Sequence, residues 1–570
     1  MVWILPILIV GLTVALSIPL GLYMTRVLDR GGARSAIERA LDTGPQTWKQ
    51  YALAMLMFNV CCWLVGFAVL ASQPYHPRFL NPDGKGMLVP STIFNTMASF
   101  LSNTNLQHYA GEVHLSYGSQ LFAIMWNQFV TPVVGLAVLL AIVRGLRGDR
   151  FMGNFYLDLW RGVIYVVLPL SAVVGLLLLA GGMPMTLSGA AKVTTLEGAE
   201  QVIARGPVAA IVAIKQLGTN GGGFFGPNSC HPFENPSAFT NIVENVCIAL
   251  IPMASLVMFG RMIRNMRHAV VIYGVSLIVL AGLIGWAIVT DTMRPNPGLT
   301  DQPALADASS KPFVIEATDS SGQTVTKEVP APALVGLPVD QTGLGNLEGK
   351  ELRFGTAAGA TWAAITTCTS NGSVNCMHDS LTPLAGLTPL TGMWLNCIFG
   401  GVGVGFVNLF VYLVVGVFLS GLMVGRTPEY LGKKVEAREM KLAMLALLIH
   451  PIMILGPTGL FAALDWGTAS TNNPAAHGFS EILYEFTSSA ANNGSGFEGL
   501  GDTYGFNDPK ANPSPPAPYA PHWDIACGLV MLVCRFVPII APLALAGSLA
   551  AKKPTPFTTG TMRTDTVTFG

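Results

Sequence analysis

The chain has 570 residues, of which 51% are hydrophobic and 11% charged, where an ordinary soluble domain carries roughly 25% charged residues. Its 32 basic and 32 acidic residues cancel, which excludes a basic surface for nucleic acid, and the high apolar content excludes an intrinsically disordered chain. The apolar residues gather in uncharged runs long enough to cross a bilayer, which takes about 20 helical residues. The chain therefore reads as an all-α polytopic membrane protein.

The first run, 1–25, has no charge and no basic residue ahead of it, while Arg26, Arg30, Arg34 and Arg39 follow it. That order predicts a retained span rather than a cleaved signal peptide. Nine spans are predicted, at 2–24, 51–72, 119–143, 162–185, 239–260, 269–290, 395–425, 442–464 and 525–551. Their connections alternate in basic content. Segments 25–50, 144–161, 261–268, 426–441 and 552–570 hold 20 Lys and Arg in 87 residues, whereas 73–118, 186–241, 291–394 and 465–523 hold 11 in 265. By the positive-inside rule the first set is cytoplasmic and the amino terminus lies outside.

The cytoplasmic connections are too short for a nucleotide-binding domain, which needs about 50 residues. No Walker A pattern occurs, and the glycine-rich run Gly221 to Gly226 lacks the Gly-Lys-Ser/Thr of a phosphate cradle. The chain is thus expected not to hydrolyse ATP itself and not to be an enzyme. Its nine cysteines and nine histidines are dispersed. No spacing suggests zinc, haem or a disulfide framework, so no cofactor is expected.

Each of the four outer connections carries a short helical segment, at 91–101, 207–217, 357–368 and 480–490, too short to cross a membrane but long enough to dip in and stop. Ser91 and Ser480 are expected as N-caps and Pro207 as a first helical residue. Polar strings follow in register: Ser102-Asn103-Thr104-Asn105, Gly218-Thr219-Asn220-Gly221, Thr369-Ser370-Asn371-Gly372 and Ala491-Asn492-Asn493-Gly494. Such residues admit left-handed backbone, which turns successive carbonyls the same way. Non-helical backbone at membrane depth survives only where it is buried in protein or lines a water-filled path, and carbonyl rings can replace a cation's hydration shell. The short helices would also aim their negative carboxyl ends inward. Glu112, Glu234, Asp379 and Glu498 follow the four strings, either as solvated loop residues or as an attraction for cations. Because all four loops enter from one side, the repeats are parallel, unlike an inverted-repeat transporter.

These strings carry a specific resemblance. Ser102 to Gln107, Leu217 to Phe225, Thr366 to Asp379 and Thr487 to Ser495 resemble the filter signatures of the KdpA family, the potassium-binding, channel-like subunit of bacterial Kdp potassium-transporting P-type ATPases. The resemblance runs over essentially the whole chain. It implies four parallel membrane helix–pore loop–membrane helix repeats around a pseudo-fourfold pore, plus one leading helix. The implied units are 1–50 (leading helix and cytoplasmic loop), 51–161, 162–268, 269–441 with an outer insertion at 291–356, 442–551, and a cytoplasmic tail 552–570. It implies K⁺ as the ion, with a filter formed by Asn103, Thr104, Asn105, Gly218, Thr219, Asn220, Gly221, Thr369, Ser370, Asn371, Gly372, Asn492, Asn493 and Gly494, and Gln107 just behind the first loop. It implies the partners KdpB, which hydrolyses ATP, KdpC and KdpF, in the bacterial inner membrane. The alternative is a self-standing Trk/Ktr-like potassium channel or symporter. Family members have a tenth span after the last basic segment, where this sequence has none.

Five further features stand out. Gly400, Gly401, Gly403 and Gly405 should weaken the seventh span, since each glycine costs a helix about 0.8–1 kcal/mol relative to alanine. The resemblance suggests a gating break, and close helix packing is the alternative. Arg535, deep in the ninth span, must pair or face water, with a role at an inner cavity or in coupling as the functional reading. Lys215 sits near the end of the second short helix, where a cation offsets the dipole. The 291–356 stretch is expected to form a small β-rich or irregular elaboration, and 511–518 a stiff polyproline-like spacer.

Overall fold

The computed structural model describes residues 2–294, 345–423, 425–503, 519–553 and 566, together with the backbone of strands Phe313–Thr318 and Thr324–Val329. Those strands pair antiparallel. They are the described part of the outer elaboration between 295 and 344. The proline-rich 511–518 segment and most of the tail beyond 553 lie outside the described residues.

Among the described residues, nine helices are long and apolar enough to cross a membrane: Ile4–Leu28, Trp48–Ala71, Tyr117–Arg147, Phe155–Ala180, Ala238–Met262, Met266–Thr292, Val404–Met423, Ala437–Ala463 and Ala520–Ala550. Their predominantly apolar sequences suit a bilayer, in which each helix satisfies its own backbone. Local signals set several ends. Thr47 and Gln50 form a capping box at the second span, Ser237 and Thr240 do the same at the fifth, and left-handed Gly148 closes the third.

Two predicted spans change most. The fourth span begins at Phe155 rather than 162, because Asn154 caps it through Tyr156 N–H (3.1 Å) and Leu157 N–H (3.3 Å). Asp158 in that added turn pairs with Arg144 at 2.6 Å and accepts from Tyr51 Oη at 2.9 Å. The predicted seventh span splits: helix Pro383–Leu395 ends at left-handed Asn396, a non-helical segment covers 396–403, and the span proper is Val404–Met423.

The spans sort into two layers. The most apolar stretches of the third, fifth and ninth are 94%, 89% and 67% buried, against 22–39% for the other six. The first span lies on the fifth so closely that a Cβ on Gly21 would stand 2.5 Å from the Ala254 carbonyl oxygen. On the side with the basic connections, Glu38 is buried between Arg30, Arg161 (3.2 Å) and the Arg34 N–H (2.7 Å). Burial pushes its carboxyl up, but the hydrogen bonds from Arg161, Arg34 and Arg30 hold it down at about 2.

Candidate functional site

Four shorter helices, Pro90–Leu101, Val208–Leu217, Thr356–Cys368 and Ala475–Ala491, precede the polar strings. Their starts correct three expectations. Pro90 takes the first position of its helix, where a missing N–H costs nothing. Ser91 is thereby freed to donate to Asp524 Oδ2 at 2.8 Å. Pro207 stands just before its helix rather than inside it. Ser480 lies within the fourth, whose entry is fastened by the Glu481 carboxylate on the N–H groups of Asn472 (2.9 Å) and Asn473 (3.0 Å).

The four helices end identically. In each string the second residue is left-handed: Asn103 (φ 65°), Thr219 (48°), Ser370 (54°) and Asn492 (51°). The fourth is left-handed too: Asn105 (58°), Gly221 (87°), Gly372 (90°) and Gly494 (103°). The third residue's N–H returns to the carbonyl five residues earlier: Thr104 to Ser99 (2.9 Å), Asn220 to Lys215 (3.0 Å), Asn371 to Thr366 (2.8 Å) and Asn493 to Ser488 (2.9 Å). The second residue's N–H bonds three residues back in all four, at 3.2–3.4 Å. This is a Schellman ending, which consumes the last free helix carbonyls and turns the following ones away.

The four strings close a ring by mutual contact. A Cβ on Gly221 would fall on the Asn371 carbonyl oxygen, one on Gly372 on that of Asn493, and one on Gly494 on that of Thr104. The first string faces Gly222 of the second, whose missing side chain leaves room for the Cβ of Asn105. That is why the first string ends in asparagine where the others need glycine. Side chains also tie neighbouring strings together. Asn103 Nδ2 donates to Thr219 O (3.0 Å), Asn493 Nδ2 to Thr366 O (3.1 Å), Ser370 Oγ to Ala491 O (2.8 Å) and Asn492 Nδ2 to Thr104 Oγ1 (3.0 Å). Gly218 and Thr369 form the helix caps behind these positions.

Thr104, Asn220, Asn371 and Asn493 are each 0% exposed, yet their backbone carbonyls accept no hydrogen bond from the described residues. Buried carbonyls are nearly always paired. Four orphans at one position of four equivalent loops can together replace water around a cation.

Behind the second string stands a buried lattice that sequence reading resolved only as a helix-end lysine. Lys215 Nζ donates to Asn228 Oδ1 (2.6 Å), Ser229 Oγ (2.7 Å) and Glu234 Oε2 (2.6 Å). Glu234 accepts from Phe225 N–H (2.7 Å), and Asn228 Nδ2 donates to the Gly221 carbonyl (2.6 Å). Glu234 is therefore a buried brace, not a solvated loop acid. Glu112 accepts from Gly226 N–H (2.8 Å), Glu498 from Asp379 N–H (3.0 Å), and Asp379 pairs with His477 (2.8 Å). Gln107 exchanges two bonds with Gly223, at 2.9 and 3.0 Å, linking the first and second loops. Asn228, left-handed at φ 58°, carried no signal in the sequence.

On the other side of the ring lies a cavity of about 350 Å³, lined by Asn103, Ser370, Asn492, Asn396, His450 and Arg535, among others. The 396–403 segment borders it. Val402 N–H donates to Thr219 Oγ1 at 3.0 Å and Gly400 N–H to Cys368 O at 3.2 Å. Gly400 abuts Gly405, and left-handed Gly403 (φ 76°) abuts the Gly135 carbonyl of the third span, approaches that a side chain would block. Gly401 lies beneath Thr219 and Ser370. Arg535 is 5% exposed and donates to Thr131 O at 3.1 Å, with no carboxylate partner among the described residues.

A family model described as "Potassium-transporting ATPase A subunit", KdpA, matches residues 7–570. The chain is 42% identical to a protein of Geobacillus kaustophilus over 98% of this chain and 92% of that one. It is 44% identical to one of Phocaeicola vulgatus over the same shares, and 43% to one of Bacteroides thetaiotaomicron over 98% and 93%. Each relative is named a potassium-transporting ATPase potassium-binding subunit.

Proposed function

The chain belongs to the KdpA family, and from that premise we propose that it binds K⁺ from outside in the ring of four loops and delivers it to an ATP-hydrolysing partner for potassium uptake. The observation that carries this reading is the set of four buried carbonyls at Thr104, Asn220, Asn371 and Asn493 that find no donor among the described residues. Asn103, Asn105, Thr219, Gly221, Ser370, Gly372, Asn492 and Gly494 give the loops their curvature, with Gly218, Thr369 and Gln107 as supports. Each loop with its two flanking spans forms one repeat, at 51–161, 162–268, 269–441 and 442–551, behind the leading unit 1–50.

Below the ring, the 396–403 segment with Gly400, Gly401, Gly403 and Gly405 gates the passage into the cavity. There Arg535 places a fixed positive charge that opposes onward cation flow. The chain itself does not hydrolyse ATP. A P-type subunit of the KdpB kind does so, with KdpC- and KdpF-like subunits completing the complex in the bacterial inner membrane. The amino terminus faces outside, by the asymmetry of basic residues among the connections. The relatives' names favour this reading over a self-standing channel.

The test is co-purification with a P-type ATPase subunit and K⁺ stimulation of its hydrolysis. The expected result is a stable complex whose ATPase rate rises with K⁺. Selective K⁺ flux through vesicles holding the chain alone, with no associated ATPase, would overturn the subunit reading.

A further inference from the structure

A second cluster of ion-ligating side chains lies between the first and fourth loops, away from the ring of carbonyls. His108 follows the first string, Glu485 sits in the fourth short helix, Asp502 in the connection after it, and Asp524 and Cys527 near the start of the ninth span. His108, Glu485, Asp524 and Cys527 are at most 2% exposed, whereas the Asp502 side chain is 14% exposed and opens the cluster outward. These residues are up to 419 positions apart (Cys527 minus His108), so the dispersed histidines and cysteines gave no sign of it.

The geometry is that of an oriented ligand set. His108 Nδ1 donates to Asp524 Oδ1 at 2.9 Å, while Asp524 Oδ2 accepts from Ser91 Oγ (2.8 Å) and Thr92 Oγ1 (2.9 Å). A carboxylate held this way fixes the imidazole so that its other nitrogen faces the ligand position. That nitrogen, Nε2, lies 3.3 Å from Glu485 Oε1 and 3.8 Å from Asp502 Oδ2, and Cys527 Sγ lies 3.4 Å from the same Glu485 oxygen. The histidine, glutamate and cysteine ligand atoms all fall within 4.8 Å of one another. Zinc bonds of about 2.0–2.3 Å at tetrahedral angles demand ligand separations of about 3.3–3.6 Å; the His108–Glu485 and Cys527–Glu485 separations of 3.3 and 3.4 Å already meet this, while Asp502, 3.8 Å from Nε2, has to close in.

Charge argues the same way. Three carboxylates and a thiol converge on one imidazole, and no lysine or arginine among the described residues approaches any of the carboxylates within 4.0 Å. Even a protonated His108 would balance only one of the three carboxylates, and buried charges in such places are paired or coordinate metals. Imidazole and thiolate donors with carboxylates suit zinc-class ions rather than K⁺ or Mg²⁺.

We propose that His108, Glu485, Cys527 and Asp502 form a site for a divalent cation of the zinc class, which fastens the first loop to the ninth span. It is independent of K⁺ binding in the ring.

The full chain, purified with its partners and stripped with chelator, is titrated with Co²⁺ and with Zn²⁺. The expected result is one tightly bound ion per chain and, with Co²⁺, the visible bands and thiolate charge-transfer band of a tetrahedral cysteine site. Cys527→Ser removes the charge-transfer band, Asp524→Asn weakens Zn²⁺ binding by roughly tenfold or more as loss of an outer-shell partner does, and Cys61→Ser changes neither. Absence of a stoichiometric ion, or a thiolate band that survives Cys527→Ser, would overturn the proposal. So would equal loss of binding in Cys61→Ser, which would mark a damaged fold or surface binding.

Discussion

At the scale of single residues, the ring depends on backbone that only a few side chains tolerate. Gly221 and Gly372 are left-handed and press against the Asn371 and Asn493 carbonyls. A left-handed alanine costs about 1–2 kcal/mol before any collision, and 1.4 kcal/mol is tenfold in binding. Gly221→Ala and Gly372→Ala should each raise the half-saturating K⁺ concentration at least tenfold and blunt Rb⁺/K⁺ discrimination. Gly11→Ala, where a Cβ meets nothing, should change neither; uptake assays at limiting K⁺ read both. Lys215 offers a different kind of test. Removing it strands Glu234 in a fully buried site, and breaking a buried pair costs about 3–5 kcal/mol. Lys215→Met should therefore destabilise the purified chain by about that amount in thermal or denaturant unfolding, and adding Glu234→Gln should restore part of the loss. The polar strings and their register were legible because four copies share one order of residue types. Asn228, Ser229 and Glu234 were not, because nothing local distinguishes a brace from an ordinary loop residue.

At the scale of elements, spans were read from length and uncharged composition, but their ends obeyed side chains. Asn154 and Asp158 drew the start of the fourth span back to Phe155, and the glycine-rich 396–403 segment took the place of just over two turns of the expected seventh helix. The glycine cluster announced a weakness. It did not announce that Gly403 meets Gly135, since contact between distant spans leaves no local trace. This segment and Arg535 border the cavity on one side of the ring, so substitutions there should affect passage more than recognition. Gly403→Ala should lower maximal uptake while leaving half-saturating K⁺ nearly unchanged. Arg535→Met should change the ratio of ATP hydrolysed to K⁺ moved, and an unchanged ratio would remove Arg535 from coupling. The Glu38 latch gives a pH prediction. Its carboxyl is held at about 2 against an ordinary 4.5. Its stabilising contribution is thus complete above the ordinary value and lost as pH falls toward 2. Glu38→Gln should melt below the parent chain at neutral pH, and the gap should close as the pH is lowered through that window.

At the scale of the whole molecule, the strongly buried third, fifth and ninth spans form the inner layer, and the less buried ones surround them. Composition does not make that division, since lipid tails are as apolar as leucine and an inner helix needs no more hydrophobicity than an outer one. The architecture gathers four equivalent helix endings, from parts of the chain hundreds of residues apart, into one closed ring in which the buried carbonyls of Thr104, Asn220, Asn371 and Asn493 meet no donor among the described residues. The most direct test is anomalous diffraction from the complex with Rb⁺ or Tl⁺ replacing K⁺. The account predicts one or more peaks inside the ring, bounded by the carbonyl oxygens of Thr104, Asn220, Asn371 and Asn493. An empty ring with the ion bound elsewhere, or a peak held by side chains outside these four loops, would contradict it.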